Sequence, residues 1–163
     1  MSLSRRIARP LLAAGFVYGA QNVLRNAEAF APKAAPASEK LVPLVKKAGI
    51  PLSDDTETLV KLNAALQLVG SLSLVTGKAP RTGALLLAGS MVPTTVLGHP
   101  FWSESDPVVK KTMQMHFFKN LSMLGGAMIA AGDTDGKPGV AWRAKRAAKD
   151  ARRETKRAAD KIT

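Results

Sequence analysis

Polar side chains interrupt the apolar stretches of this 163-residue sequence at helical spacing. Asn63 and Gln67 are four residues apart and share one helix face, and His116, Lys119 and Asn120 share another. Such residues are costly in hydrocarbon and normally face the interior of a helical bundle. The two groups could line one polar pocket, or they could form interhelical hydrogen bonds that only fix packing.

A second group lies where apolar segments end. His99 and Trp102 close the third apolar segment, and His116 lies near the start of the fourth, so the two imidazoles could meet at one membrane interface. Two histidines without a fixed third ligand make a weak metal site, and we predict none. Trp102 is explained by an interfacial anchoring role. A quinone headgroup, however, needs donors such as His or Lys and aromatic walls, which these residue types supply.

The candidate cofactor-binding residues are therefore polar or aromatic side chains near the third and fourth segments, namely His99, Trp102, His116, Lys119, Asn120, Asn63 and Gln67. No catalytic residues are predicted, because no nucleophile elbow, phosphate loop or paired-carboxylate motif is present. The chain has no cysteine, so redox chemistry here requires a cofactor or a partner.

Four apolar segments must position these residues, at about 7–24, 59–76, 82–98 and 115–131. At 1.5 Å per residue, each spans about 26 Å of the ~30 Å hydrocarbon core. A soluble bundle would need a stripe of charged residues along each helix, yet Lys119 is the only charged residue in the last two segments. We predict an all-α integral membrane four-helix bundle over residues 1–136, followed by a tail over 137–163.

The net charge of +12 is distributed unevenly. Basic and acidic residues balance over 25–58 and over 98–115, whereas the N-terminus, the turn at 77–82 and the tail are positive. By the positive-inside rule, both termini are cytoplasmic and the two neutral loops are external. Aromatic content of only 5% disfavours nucleic-acid binding.

Local signals predict the remaining structure. The first external loop is proline-rich, with short helices around 38–48, and Asp55 and Asp106 begin the following helices. The tail reads as a basic amphipathic helix over 141–163 that lies against anionic lipid or an acidic partner, or is solvated. Pairs of small residues predict close helix contacts at Gly15 and Gly19, at Ser90, Thr94 and Gly98, and at Gly125 and Gly126.

Several of these motifs resemble the DoxX family of small bacterial membrane proteins. They are RRIARPLL at 5–12, PTTVLGHPFW at 93–102, HFFKNL at 116–121 and DTDGKP at 133–138, and the resemblance covers most of 5–143. It implies a four-helix fold in the bacterial inner membrane and an association with quinone-linked redox or oxidant-detoxification complexes.

The resulting expectation is an accessory or anchoring subunit of such a complex, with quinone as its cofactor. The chain is not expected to be catalytic alone; if enzymatic, it would be part of a quinone oxidoreductase. Expected partners are the lipid bilayer, redox or detoxification enzymes, and anionic lipid or an acidic protein at the tail. The sequence does not fix the oligomeric state, although Gly15 and Gly19 would permit a homodimer. The alternatives are a lipid- or small-molecule-binding membrane protein and a structural scaffold without a redox role.

Overall fold

The computed structural model describes residues 2–96, 98–136 and 138–159, and this part of the chain is all-helical. The α-helices are α1 (Leu3–Arg25), α2 (Ala27–Lys47), α3 (Thr56–Thr76), α4 (Pro80–Val96), α5 (Pro107–Gly132) and α6 (Val140–Ala159), with a 3₁₀ turn at Phe101–Ser103 between α4 and α5. The all-α prediction is confirmed. The chain forms two compact units, Met1–Gly132 and Asp133–Thr163.

The first unit is held together by contacts of α3 with α1 and α4, and of α4 with α5; α2 packs on α3. Half of its core side chains are alanines, and all come from α1, α3, α4 and α5, namely Ala13, Phe16, Leu74, Ala84, Leu87, Met91, Ala127 and Ala131. Small residues allow helices to approach closely where no hydrophobic force drives them together.

The backbones of α3 and α4 approach closely at Gly70 and Gly83. A Cβ atom added to Gly70 would lie 2.8 Å from the carbonyl oxygen of Gly83. A Cβ atom added to Gly83 would lie 2.7 Å from the carbonyl oxygen of Gly70 and 2.7 Å from Cβ of Ser73. Only glycine fits both positions, because neither backbone oxygen can move away cheaply.

The contact between α1 and α5 confirms part of the small-residue prediction. A Cβ atom at Gly15 would meet Met123, and one at Gly126 would meet Leu12. Gly19 and Gly125, by contrast, have no atom within 4 Å of an added Cβ. The prediction that these two glycines mark close contacts within the chain is therefore wrong for this unit.

We name the two opposite ends of the packed helices in the first unit after one residue at each. At one end Arg81 Nε donates a hydrogen bond to the carbonyl oxygen of Ala131, 2.9 Å away, joining the start of α4 to the end of α5. We call this the Arg81 end. At the other, the His99 end, the end of α4 meets the start of α5 through stacked imidazoles. Consecutive helices α3, α4 and α5 therefore run antiparallel.

Among the described residues, two helical segments are long and apolar enough to cross a membrane, Thr56–Thr76 and Pro80–Ser103, the second of which begins with α4. Only 28% and 35% of these segments is buried within the protein. Their outer faces expose large apolar side chains, among them Leu66, Leu72 and Leu85. A core helix of a soluble protein would be mostly buried, so these faces suit a lipid environment. The predicted spans near 59–76 and 82–98 match these helices; Leu97 lies outside the described residues.

The segment predicted as a proline-rich loop with short helices around 38–48 contains the 21-residue helix α2, Ala27–Lys47. The helix expected around 38–48 is therefore present as part of a longer one. The loop expected before it was wrong, because Pro32, Pro36 and Pro43 are spaced so that the missing N–H donors fall on exposed turns. The carbonyl groups they leave unpaired can bind water there. The helix is also anchored to the start of α3, since the Ser38 and Thr56 hydroxyls are 3.0 Å apart and Lys46 pairs with Asp54 at 2.7 Å.

The predicted helix starts at Asp55 and Asp106 are confirmed. Asp55 Oδ2 accepts a hydrogen bond from the Thr58 amide at 2.9 Å, and Asp106 Oδ1 accepts from the Val108 amide at 2.8 Å. The Thr58 hydroxyl and amide together lower the pKa of Asp55, because both bonds favour the charged carboxylate. Helices α3 and α5 thus begin at defined residues.

We expect Gly83→Ala to destabilise the protein by about 1–3 kcal/mol, because its Cβ overlaps backbone atoms of α3. Thermal unfolding in detergent measures the effect. The matched control is Gly89→Ala on the same helix, where an added Cβ meets no atom within 4 Å. Equal melting temperatures for the two variants would contradict a close packing role for Gly83.

Candidate functional site

A layer of polar side chains crosses the first unit between the His99 end and the Gly70–Gly83 contact. We call it the polar layer, and its members are Asn63 and Gln67 of α3, Ser90, Thr94 and Thr95 of α4, and Asn120 of α5. Asn63 Nδ2 donates to Thr94 Oγ1 at 3.4 Å, and the Thr94 hydroxyl donates to the Ser90 carbonyl oxygen at 2.8 Å. The Asn63–Thr94 bond joins α3 to α4 at a second place besides the Gly70–Gly83 contact, and the Thr94–Ser90 bond lies within α4.

One member of the layer lacks a partner. The Thr95 side chain is 2% exposed, and its hydroxyl has no hydrogen bond within the described part of the chain. An unpaired buried hydroxyl costs about 1–3 kcal/mol. Gln67 and Asn120 are also buried, at 8% and 7% exposed. The layer therefore offers an unused hydroxyl to a polar ligand.

The two adjacent threonines of α4 differ in their hydrogen bonding. The Thr94 hydroxyl donates to the Ser90 carbonyl oxygen one turn earlier on the same helix. Thr95 remains unpaired. No sequence signal separates these adjacent threonines, because which hydroxyl has a partner depends on how α4 is rotated against its neighbours.

His99 and His116 stack at the mouth of this layer, with ring centroids 5.4 Å apart and an interplanar angle of 26°. The His99 amide bonds the Thr95 carbonyl oxygen at 3.3 Å, so Thr95 lies one turn further in. Asn120 lies one turn inward from His116 on α5. Antiparallel packing thus puts Thr95 and Asn120 at the same height beneath the two imidazoles.

Lys119 occupies the rim of the site and not its buried layer. Its side chain is exposed, although its charge lies close enough to act electrostatically on His99. Five of the predicted residues are half-buried or buried, namely Asn63, Gln67, His99, His116 and Asn120. The structure therefore brings the predicted polar residues together while leaving Lys119 at the surface of the first unit.

An aromatic cluster covers the His99 end. The Phe101 ring lies 5.2 Å from Trp102 and 5.3 Å from Phe117, and the Trp102 and Phe117 rings are 5.9 Å apart. All three pairs meet edge to face, an arrangement that stabilises by about 0.5–1.5 kcal/mol per pair. These contacts hold the 3₁₀ turn against α5, which fixes the position of His99 just before the turn.

Sequence reasoning named Trp102 but missed the partner phenylalanines. The signal was available in the segments HPFW and HFFKN, where each histidine is followed within two residues by Phe. Trp102 is 55% exposed, as an interfacial side chain would be. In the described part of the chain, no cluster of three or more His, Asp or Glu side chains suited to a metal ion is present.

The fold and the polar layer define the class of protein, an all-helical membrane protein with a polar site between apolar helices. The family model for DoxX matches residues 5–100, more than half of the chain, so the chain belongs to the DoxX family. Membership indicates a membrane protein associated with oxidoreductase or quinone-related functions. Searches of curated proteins and of solved structures give no match.

The match is shorter than the resemblance over 5–143 that the sequence motifs suggest. It includes Asn63, Gln67 and His99 and ends before Trp102, His116, Lys119 and Asn120. The α5 half of the site is therefore supported by its geometry in this protein, through the imidazole stack and the aromatic cluster.

We expect Thr95→Val to raise the melting temperature of the ligand-free protein, because it removes an unpaired buried hydroxyl at nearly constant shape. Ser90→Ala is the control and should lower it, since the Ser90 hydroxyl donates to the Leu87 carbonyl oxygen at 2.8 Å. Calorimetry in detergent measures both. A lower melting temperature for Thr95→Val would mean that the hydroxyl is already satisfied in the protein.

Proposed function

We propose that this chain is an accessory or anchoring membrane subunit of a quinone-linked redox or oxidant-detoxification complex, and that the polar layer receives a quinone headgroup. The observation that carries the proposal is the unpaired, 2% exposed Thr95 hydroxyl beneath the His99–His116 stack. Quinone oxygens accept hydrogen bonds, and hydroxyl, amide and imidazole groups donate them. The hydroxyl and amide donors of the polar layer and the imidazole donors at its mouth therefore match the acceptor oxygens of a quinone.

Each element of the site has a role in this proposal. The Thr95 hydroxyl and the Asn120 amide hold the headgroup, with Asn63 at the level of Thr94 and Gln67 one turn deeper on α3. His99 and His116 supply donors at the mouth. The rings of Phe101, Trp102 and Phe117 form an apolar wall, and Lys119 at the rim adds positive charge near the oxygens. A bound quinone supplies two-electron acceptor chemistry, and a partner protein supplies the electrons.

We further propose that α1, α3, α4 and α5 all cross the bacterial inner membrane, with both termini cytoplasmic. At 23 and 26 residues, α1 and α5 are about 35 and 39 Å long, enough for the hydrocarbon core. Their exposed apolar side chains, such as Leu11 and Ile129, suit lipid contact. The cytoplasmic face is then the Arg81 end, where the basic residues of the N-terminus and of the turn at 77–82 collect.

Mass spectrometry of an organic extract tests the quinone proposal. We expect the gently purified protein to carry quinone near one equivalent and a Thr95→Val/Asn120→Leu variant to lose at least 90% of it, because two donors are removed. A Lys119→Met variant should retain more quinone than the double variant, since the Lys119 side chain is exposed. The control is Ser122→Ala, whose exposed hydroxyl bonds only the Phe118 carbonyl oxygen of its own helix.

The other outcomes separate the alternatives. Equal quinone content in all variants would reject the polar layer as the site. A different lipid or solute, present in the parent and lost in the double variant, would replace quinone with a small-molecule-binding role. With no extractable ligand and full activity of the host membranes after Lys119→Met, the protein would be a scaffold.

A further inference from the structure

The C-terminal helix α6 has two chemically different faces. At 100° per residue, five of the six cations of residues 142–155 and the tryptophan lie on one side, which we call the basic face: Trp142, Lys145, Arg146, Lys149, Arg152 and Arg153. The opposite side, the alanine face, carries Ala144, Ala147, Ala148, Ala151 and Thr155. Arg143 and the two acids, Asp150 and Glu154, lie together on one flank between the faces. Asp150 pairs from this flank with Arg146 at the edge of the basic face, Nε to Oδ2 at 3.7 Å, and the other four cations of the face carry a net positive charge.

The position of Trp142 distinguishes the faces. Trp142 is 52% exposed and packs beneath Arg146, whose Cζ lies 5.4 Å from the ring centroid. Tryptophan prefers the boundary between water and hydrocarbon, where its ring is apolar and its N–H is solvated. The alanine face offers only methyl groups and one hydroxyl, which bury little apolar area. The side of α6 equipped to enter a headgroup region is the basic one.

We infer that the basic face of α6 binds the anionic headgroups of the bilayer, with Trp142 seated at the interface and the alanine face turned away. Residues 142–155 carry six basic and two acidic residues, a net charge of +4. The helix is tethered to a membrane protein, so anionic lipid is the polyanion at highest local concentration. This inference goes beyond the proposed function and does not depend on quinone.

A nucleic acid is the less favoured occupant. Binding to single strands uses several aromatic rings interleaved with cations, and α6 has one ring. An acidic protein would use the same charges but gives no reason for a tryptophan among them. Both occupants are outcomes of the test below.

The test uses the full chain in nanodiscs and the fluorescence of Trp142. The chain has two tryptophans, so Trp102→Phe leaves Trp142 as the sole reporter. We expect a blue-shifted emission and quenching by brominated phosphatidylcholine in nanodiscs that contain 30% phosphatidylglycerol, and neither effect in phosphatidylcholine alone. The effect should disappear in 1 M NaCl, where the screening length is about 3 Å.

Two matched double variants assign the face. Lys149→Gln/Arg153→Gln removes two cations beside Trp142, and each loss should reduce the ratio of bound to free tail about fivefold. Ala147→Gln/Ala151→Gln changes the opposite face and should leave the quenching unchanged. Circular dichroism checks that α6 remains helical in both, since Gln is a good helix former.

Three results would overturn the inference. Quenching that is lost only in the alanine-face variant would mean that this face meets the bilayer. Equal Trp142 emission in neutral and anionic nanodiscs would exclude headgroup binding. Release of Trp142 from anionic nanodiscs by a 20-base-pair DNA duplex at equal phosphate concentration, or by a polyglutamate peptide at equal charge, would assign the basic face to a nucleic acid or to an acidic protein.

Discussion

The backbone contact between Gly70 and Gly83 is the constraint on which the first unit depends. Apolar side chains gain little from leaving lipid for another helix, so helix pairs in a membrane need close backbone approach and shared hydrogen bonds. The two glycines supply the first for α3 and α4. The Asn63–Thr94 bond, nearly two turns along, supplies the second. The close packing of α3 on α4 at Gly70 and Gly83 therefore sets the distance between these two helices and also brings Asn63 within reach of Thr94.

The polar layer carries a cost that the rest of the unit must offset. The buried Thr95 hydroxyl has no hydrogen-bond partner within the described part of the chain, and burying such a group costs free energy. The aromatic cluster and the imidazole stack close the same end and stabilise it. A site with an unsatisfied donor held rigid by its surroundings is suited to binding, because the ligand gains a hydrogen bond that the free protein lacks.

Much of the fold follows from local sequence patterns. The helix starts at Asp55 and Asp106 depend on a side chain and the next few amides, so the sequence predicts them well. The first part of helix α2 was missed because its prolines suggested a loop, whereas their spacing leaves the broken bonds on exposed turns. The contacts predicted for Gly19 and Gly125 failed because small residues permit a close approach without requiring one.

The sequence by itself determined the helical class, the apolar segments and the uneven charge, since these depend on composition and on periodicity along one helix. It also named most of the polar site residues, because a polar group within an apolar helix is conspicuous. Only the tertiary structure decided that Gly70 meets Gly83, that Thr95 and not Thr94 lacks a partner, and that Lys119 lies at the rim. Those facts depend on the rotation and register of neighbouring helices, which packing sets and no single segment encodes.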